Sequence, residues 1–143
     1  MLPITTAHTA APTPRSHHAH THTHTRTRYY KLNTGLPGFD KNYFYWFFEA
    51  RNAPATAPLV LWMTGGPGCS SEVALFGENG PCSVNAGGND TITNPYSWNT
   101  NANLLYIDQP TGTGFSYGTG HDSNEKEVST DMCVQLQPTI IIL

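Results

Sequence analysis

The sequence of 143 residues has few charges: Asp, Glu, Lys and Arg make up 12% of it, and its formal net charge is -3. Because it has no basic excess, we do not expect nucleic acid as a partner. It also has no apolar run as long as a membrane span. A chain of this length forms one domain at most. These absences leave one domain with no predicted membrane span.

Cysteine is also scarce, since only Cys69, Cys82 and Cys133 are present and they lie far apart in the sequence. No C-x-x-C pair occurs, which excludes a thiolate zinc motif. An odd number of cysteines suggests that one of them pairs with a thiol that this sequence does not contain.

Residues 1–28 contain one Leu, one Ile and no aromatic residue, so we expect a disordered low-complexity segment that buries no apolar surface. The segment lacks the apolar core of a secretory signal peptide. Closely spaced imidazoles can bind a metal, and five occur here: His17, His18, His20, His22 and His24. We prefer the interpretation that the His-Thr alternation is a translated simple repeat. We therefore predict no metal site and no cofactor.

Residues 29–137 have a different composition and form the predicted folded domain. Aromatic residues crowd positions 43–48, which predicts a strand. Continuous apolar runs at 59–63 and 104–107 are typical of strands buried on both faces of a mainly parallel sheet.

A helix is predicted to begin near Asp122 or Ser123, because Asp122 and Glu125 have the spacing of a capping box. It should end at Pro138. One apolar face is predicted for four residues: Val128, Met132, Cys133 and Leu136. Residues 138–143 then form an apolar tail, either a buried strand or translated sequence unrelated to the domain, and we favour the second.

The loop "TGGPGCSS", residues 64–71, follows an apolar run directly. Its glycines lack a Cβ, so the backbone can adopt positive φ and approach a ligand closely. N–H groups in such a loop can stabilise a developing oxyanion, and each donor is worth about 2.7–4 kcal/mol of barrier. The glycines alone fit a tight turn without a ligand equally well.

Longer stretches of the sequence favour an oxyanion-binding loop over a tight turn without a ligand. "LVLWMTGGPGCSS", "NPYSWN" and "DQPTGTGFSY" occur in this order, and together they resemble the serine carboxypeptidases, peptidase family S10. The resemblance covers residues 29–137. It implies an α/β fold: the N-terminal part of an α/β-hydrolase domain with a mixed, mostly parallel sheet, here incomplete. It also implies a hydrolase that releases C-terminal amino acids from peptides and proteins, located in the vacuole, in the lysosome or outside the cell.

The same resemblance implies roles for individual residues. The backbone N–H of Gly66 is an oxyanion donor, and Thr64, Gly65 and Glu78 hold the terminal carboxylate of the substrate. Thr64 stands where many members have Asn, and it keeps a hydroxyl donor. Two carboxyl groups pressed together share a proton, which gives an acidic working range. Cys69 corresponds to a cysteine that pairs with one far downstream, which this sequence does not contain.

Ser116 lies in "GFSYG", which fits the G-x-S-x-G elbow of a catalytic serine. An elbow needs a strand directly before the serine and a helix directly after it. Here residues 109–114 intervene, glycines follow, and His121 is the only later histidine. We therefore predict that Ser116 is not a nucleophile and that the chain is a truncated, inactive form without a catalytic triad. Two alternatives stay open: a non-catalytic remnant that binds peptide C-termini, and a fragment of a related acyltransferase.

Three further residue assignments complete the sequence-based predictions. Asn89-Asp90-Thr91 is an N-glycosylation sequon, which is weak evidence for a secreted or vacuolar route, and chance explains it about as well. Asp108 follows a predicted strand, where a triad acid could stand, but the resemblance implies that it is a structural residue of the "DQP" turn. Trp62 and Trp98 are predicted to lie in the core.

Overall fold

The structure is a computed structural model, and it describes residues 24–33, 40–120 and 122–142. Its strands, in chain order, are β1 (Thr25–Asn33), β2 (Asp40–Phe48), β3 (Leu59–Trp62), β4 (Cys82–Val84), β5 (Thr91–Thr93), β6 (Asn103–Ile107) and β7 (Tyr117–Gly118). Its helices are α1 (Glu72–Gly77) and α2 (Glu125–Ile142), with a short 3-10 turn at Trp98–Thr100. No helix among the described residues is long and apolar enough to cross a bilayer.

The main sheet has the strand order β1-β2-β6-β3, and β7 pairs with the end of β2. β3 runs parallel to β6, whereas β1, β6 and β7 each run antiparallel to β2. β4 and β5 form a separate antiparallel hairpin. The predicted α/β class with a mixed sheet is confirmed, and β3 with β6 is the parallel pair within the described residues.

Two apolar clusters cover opposite faces of the central strands, because side chains alternate along a strand. On one face, α2 packs against Tyr45, Phe47, Leu105 and Ile107 through Val128, Met132 and Leu136. On the other face, α1 contributes Leu75 to a cluster with Phe48, Leu104 and Tyr106. β2 and β6 are thus buried on both sides, and their ends fix the loops described below.

The predicted strand at 43–48 is confirmed and begins earlier, at Asp40. β3 is exposed more than predicted: Leu59 is 38% exposed and the other residues of the strand are half-buried. The reason is its position, since β3 is an edge strand within the described part of the chain. The run at 104–107 is fully buried, as predicted.

The predicted boundary of the low-complexity segment at residue 28 is wrong. Residues 25–28 form the first half of β1, and Thr25 pairs with Phe48. The ladder supplies backbone hydrogen bonds that the low-complexity composition does not reveal. His17, His18, His20 and His22 lie outside the described residues. The residues that the structure does describe include no group of three His, Cys, Asp or Glu that could hold a metal.

Helix α2 begins two to three residues later than predicted. Asn124 caps it: the Glu127 N–H donates to Asn124 Oδ1 (3.1 Å), and Asn124 Nδ2 donates to Glu127 Oε1 (3.0 Å). Asp122 is not the cap, because its carboxylate accepts hydrogen bonds from Lys41 Nζ and the Tyr43 hydroxyl instead.

The predicted end of this helix and its predicted apolar face also need correction. α2 continues past Pro138 to Ile142, because a proline removes one backbone hydrogen bond and the turns beyond it can still form. Residues 138–142 are therefore helical and not a buried strand, whereas their being unrelated to the domain stays a prediction. Cys133 is exposed. It lies five residues after Val128, a spacing that turns it away from the helix face formed by Val128, Met132 and Leu136.

Candidate active site

The glycine loop, residues 64–71, connects β3 to α1 at the carboxyl end of the parallel strands. Gly66 has φ +147 and Gly68 has φ +96, conformations that favour glycine. A Cβ on Gly66 would lie 3.3 Å from Gly68 N and 3.5 Å from Cys69 Sγ. Residues 65–69 are all exposed, and no described backbone carbonyl accepts the N–H of Gly65 or Gly66. The loop therefore presents backbone donors to solvent, as an oxyanion site requires.

Asp108 and Ser71 hold this loop in place. Asp108 is fully buried, and its Oδ1 accepts the Ser71 N–H (2.8 Å) while its Oδ2 accepts the Phe115 N–H (2.8 Å). The Ser71 hydroxyl donates to Ile107 O (2.5 Å) and accepts the Thr64 N–H (3.2 Å). These contacts join both ends of the glycine loop to the end of β6, and they fit the structural role predicted for Asp108.

Ser116 is 3% exposed and has both hydrogen-bonding capacities of its hydroxyl in use. Its Oγ donates to Asp108 O (2.7 Å) and accepts the Phe44 N–H (2.8 Å). A nucleophile needs an exposed oxygen beside a general base. The geometry thus supports the prediction that Ser116 is not a nucleophile, and it shows that the hydroxyl joins the loop before β7 to β2.

Two buried donors at the end of β3 have no hydrogen-bond partner among the described residues: Trp62 Nε1 and Thr64 Oγ1. Buried polar atoms are nearly always paired, so such atoms mark a place where a ligand or further chain can bind. The Trp62 ring packs edge-on against Trp98, with centroids 5.5 Å apart. Trp98 itself is 52% exposed, so the prediction that it lies in the core is wrong. The sequence did not reveal the Trp62 donor, because no pattern tells which way an indole N–H points.

Glu78 directly follows α1 and is exposed. Its backbone N–H donates to Ala74 O (2.9 Å), and its side chain makes no hydrogen bond to the described residues. Six residues of helix separate it from the glycine loop, a length of about 9 Å. The structure does not bring Glu78 into direct contact with Thr64 or Gly65.

Glu72 is a second carboxyl group at the loop, which sequence reasoning missed. Its Oε2 contacts the Ser70 hydroxyl, and its Oε1 is buried with no partner among the described residues. Burial raises the pKa of Glu72; the hydrogen bond with Ser70 opposes this rise, and the neighbouring Asp108 adds to it. The interior of the loop therefore favours a protonated Glu72 more than water does.

An open cleft of about 450 Å³ lies beside the glycine loop, between Pro67, Gln109, Pro110 and the first turn of α2. Ligands of open α/β sheets bind at the carboxyl ends of the strands, and this cleft lies at those ends of β3 and β6.

The predicted disulfide and glycosylation residues do not line this cleft. Cys69, Cys82 and Cys133 are free thiols, so the disulfide of Cys69 stays a prediction, and Asn89 lies on the β4–β5 hairpin.

A sequence profile of the family described as "Serine carboxypeptidase" matches residues 17–138. The chain belongs to the serine carboxypeptidase family. It is 58% identical over 84 residues to Carboxypeptidase S1 homolog A of Arthroderma otae, a match that covers 56% of this chain and 13% of the relative. It is 50% identical over 97 residues to the vacuolar serine-type carboxypeptidase ATG42 of Saccharomyces cerevisiae, covering 68% of this chain and 19% of that protein.

The fold is similar to that of a solved structure, the prohormone-processing carboxypeptidase Kex1(delta)p of Saccharomyces cerevisiae. The TM-score is 0.65 at 31% identity, over 79% of this chain and 26% of the other. The resemblance to family S10 and the partial α/β-hydrolase fold are thereby confirmed. The chain spans less than a fifth of the length of these two curated relatives.

Proposed function

We propose that this chain forms the oxyanion hole and part of the carboxylate-binding site of a serine-type carboxypeptidase. The observation that carries the proposal is the exposed glycine loop, whose backbone, with positive φ at Gly66 and Gly68, is fixed by buried Asp108. Rigid donors that need no reorganisation are what stabilises a developing oxyanion. The carbonyl oxygen of the scissile bond would accept the Gly66 N–H, a contact worth about 2.7–4 kcal/mol of barrier.

The terminal carboxylate of the peptide would lie beyond the scissile carbonyl, towards the unpartnered donors. Thr64 Oγ1 and Trp62 Nε1 are buried and lack partners among the described residues, and the Gly65 N–H lies next to them in the chain. Glu78 would complete the site by sharing a proton with the carboxylate. Because a shared proton is needed, peptide binding is expected to strengthen as the pH falls.

The chain alone is proposed to bind peptide C-termini without hydrolysing them. Ser116 is buried, and no other serine of the 143 residues lies in a G-x-S-x-G sequence. Without a nucleophile no acyl-enzyme forms. As a location we propose the vacuole or the exterior of the cell, which is supported by the word "vacuolar" in the name of one relative.

Calorimetric titration with a short peptide, as its free acid and as its C-terminal amide, tests this function. We expect saturable binding of the acid, at least tenfold weaker binding of the amide, and a similar loss for the acid in Glu78→Ala, which removes the carboxyl group. Asp90→Ala is the matched control, since Asp90 is also an exposed loop carboxylate, and it should bind like the wild type. Equal affinity for acid and amide would rule out the carboxylate site. Release of the C-terminal amino acid would rule out the inactive assignment.

A further inference from the structure

We propose that Asn89 is an N-glycosylation site whose glycan projects from the tip of the β4–β5 hairpin. Asn89-Asp90-Thr91 is the only N-x-[ST] sequence in the 143 residues. The inference rests on the vacuolar or secreted location proposed above, because this modification belongs to proteins of that route. It does not depend on peptide binding.

The hairpin tip has room for a large, hydrated group. Residues 86–93 are all exposed, and they belong to a two-stranded sheet separate from the main one. The base of the hairpin is fixed to the domain, since Arg51 donates to Pro81 O (3.0 Å) and to Asn94 O (3.1 Å). A glycan on the tip would displace no buried side chain, so the folded chain can carry it.

The local hydrogen bonds orient the Asn89 side chain and leave its nitrogen unused. Asn85 Nδ2 donates to Asn89 Oδ1 (3.0 Å), and Asn85 Oδ1 accepts the Asn89 N–H (3.2 Å). Asn89 Nδ2 is the atom that a glycan modifies, and it donates no hydrogen bond to any of the described residues. The modification therefore breaks no hydrogen bond of the turn.

The transfer needs a lipid-pyrophosphate-linked oligosaccharide as co-substrate. Asn89 Nδ2 attacks C1 of the first sugar, so an N–C1 bond forms and the bond from C1 to the phosphate oxygen breaks. The lipid pyrophosphate leaves with the electron pair, and one amide proton passes to a base of the transferase. Nothing is oxidised or reduced. Thr91 supplies the hydroxyl that the sequon requires.

The test is expression of the full 143-residue chain behind a cleavable secretory leader in a eukaryotic host, with leader removal as proof of entry into the lumen. We expect an intact mass that falls on treatment with an N-glycan-releasing amidase. Asn89→Gln and Thr91→Ala should lack the added mass. Asn85→Ala removes the hydrogen bonds of the turn but keeps the sequon, so it should remain glycosylated. The amidase should act on the native and the denatured protein alike, because the tip is exposed.

Leader-cleaved wild-type chain without an amidase-sensitive mass would overturn the proposal, and so would a glycan that persists in Asn89→Gln. A glycan released only after denaturation would contradict the exposed tip. None of these results depends on peptide binding or hydrolysis. A failure of the carboxylate site therefore shows in the titration with peptide acid and amide, and a failure of this proposal shows in the mass of the chain.

Discussion

At the scale of single residues, Ser116 shows most clearly how a catalytic-looking motif serves the fold. Ser116→Ala leaves the buried N–H of Phe44 without its acceptor, which typically costs about 1–3 kcal/mol. We expect that loss in the free energy of unfolding, measured by denaturant titration. Ser123→Ala is the matched control, since Ser123 is exposed, and it should change stability by less than about 0.5 kcal/mol. Unchanged stability in Ser116→Ala would show that the hydroxyl is not a structural link.

Gly114 lies directly against Asp108, whose backbone carbonyl accepts the Ser116 hydroxyl. Its φ is +52, and a Cβ there would lie 2.1 Å from Asp108 Oδ2. We expect Gly114→Ala to lower the free energy of unfolding by about 2–4 kcal/mol, because it combines left-handed strain with displacement of a buried carboxylate.

The control for Gly114→Ala is Gly65→Ala. A Cβ on Gly65 would meet no heavy atom within 4 Å. This variant should unfold at nearly the wild-type denaturant concentration. If both variants were equally stable, the contact between Gly114 and Asp108 would not constrain the loop.

At the scale of elements, a buried ion cluster holds helix α2 to the sheet. Lys41 Nζ contacts the carboxylates of Asp122 and Asp131, the latter at 2.5 Å, and the Tyr43 hydroxyl lies 3.0 Å from each of them. Removing one partner of a buried ion pair costs about 3–5 kcal/mol, because the other charges stay buried without compensation. We expect Lys41→Met to release α2, which hydrogen exchange of its backbone amides will detect.

Lys31→Met is the matched control, since its ion pair with Asp40 (3.1 Å) lies on the same hairpin but is about 60% exposed on both sides. Exposed pairs contribute about 0–1 kcal/mol, so α2 should stay protected in this variant. Equal deprotection in both variants would mean that the cluster does not fix the helix.

The same cluster predicts how α2 responds to pH. Burial opposes the charge on Asp122, but the hydrogen bonds from Lys41 and Tyr43 outweigh it and lower its pKa below the ordinary 3.8. Burial likewise opposes the charge on Lys41, and the two carboxylates outweigh it and raise its pKa above 10.5. Asp122 therefore contributes to the free energy of unfolding above about pH 4, and this contribution is lost as the pH falls further. The contribution of Lys41 is lost as the pH rises above 10.5. Exchange of α2 amides, corrected for intrinsic rates, should be constant between these limits.

At the scale of the whole molecule, the sequence predicts what depends on local pattern. Aromatic and apolar runs predicted β2 and β6, and the glycine loop with its neighbouring motifs predicted the family. The start of α2 could not be predicted, because the Asp122 carboxylate pairs with Lys41, 81 residues away in the chain, and does not cap the helix. The donor of Trp62 and the carboxyl pair of Glu72 and Asp108 also depend on tertiary packing. Local capping and burial rules do not include such distant partners.

The most direct test of the proposed site is an amide NMR titration of the chain with a short peptide, as free acid and as C-terminal amide. The free acid should shift the backbone signals of Gly65 and Gly66 and the indole N–H signal of Trp62, while the indole signal of Trp46, which donates to Thr25 Oγ1, stays in place. The amide should leave the Trp62 signal unchanged at the same concentration. If acid and amide shift the same signals equally, or if the loop signals do not move at saturating peptide, the glycine loop is not a carboxylate-binding site.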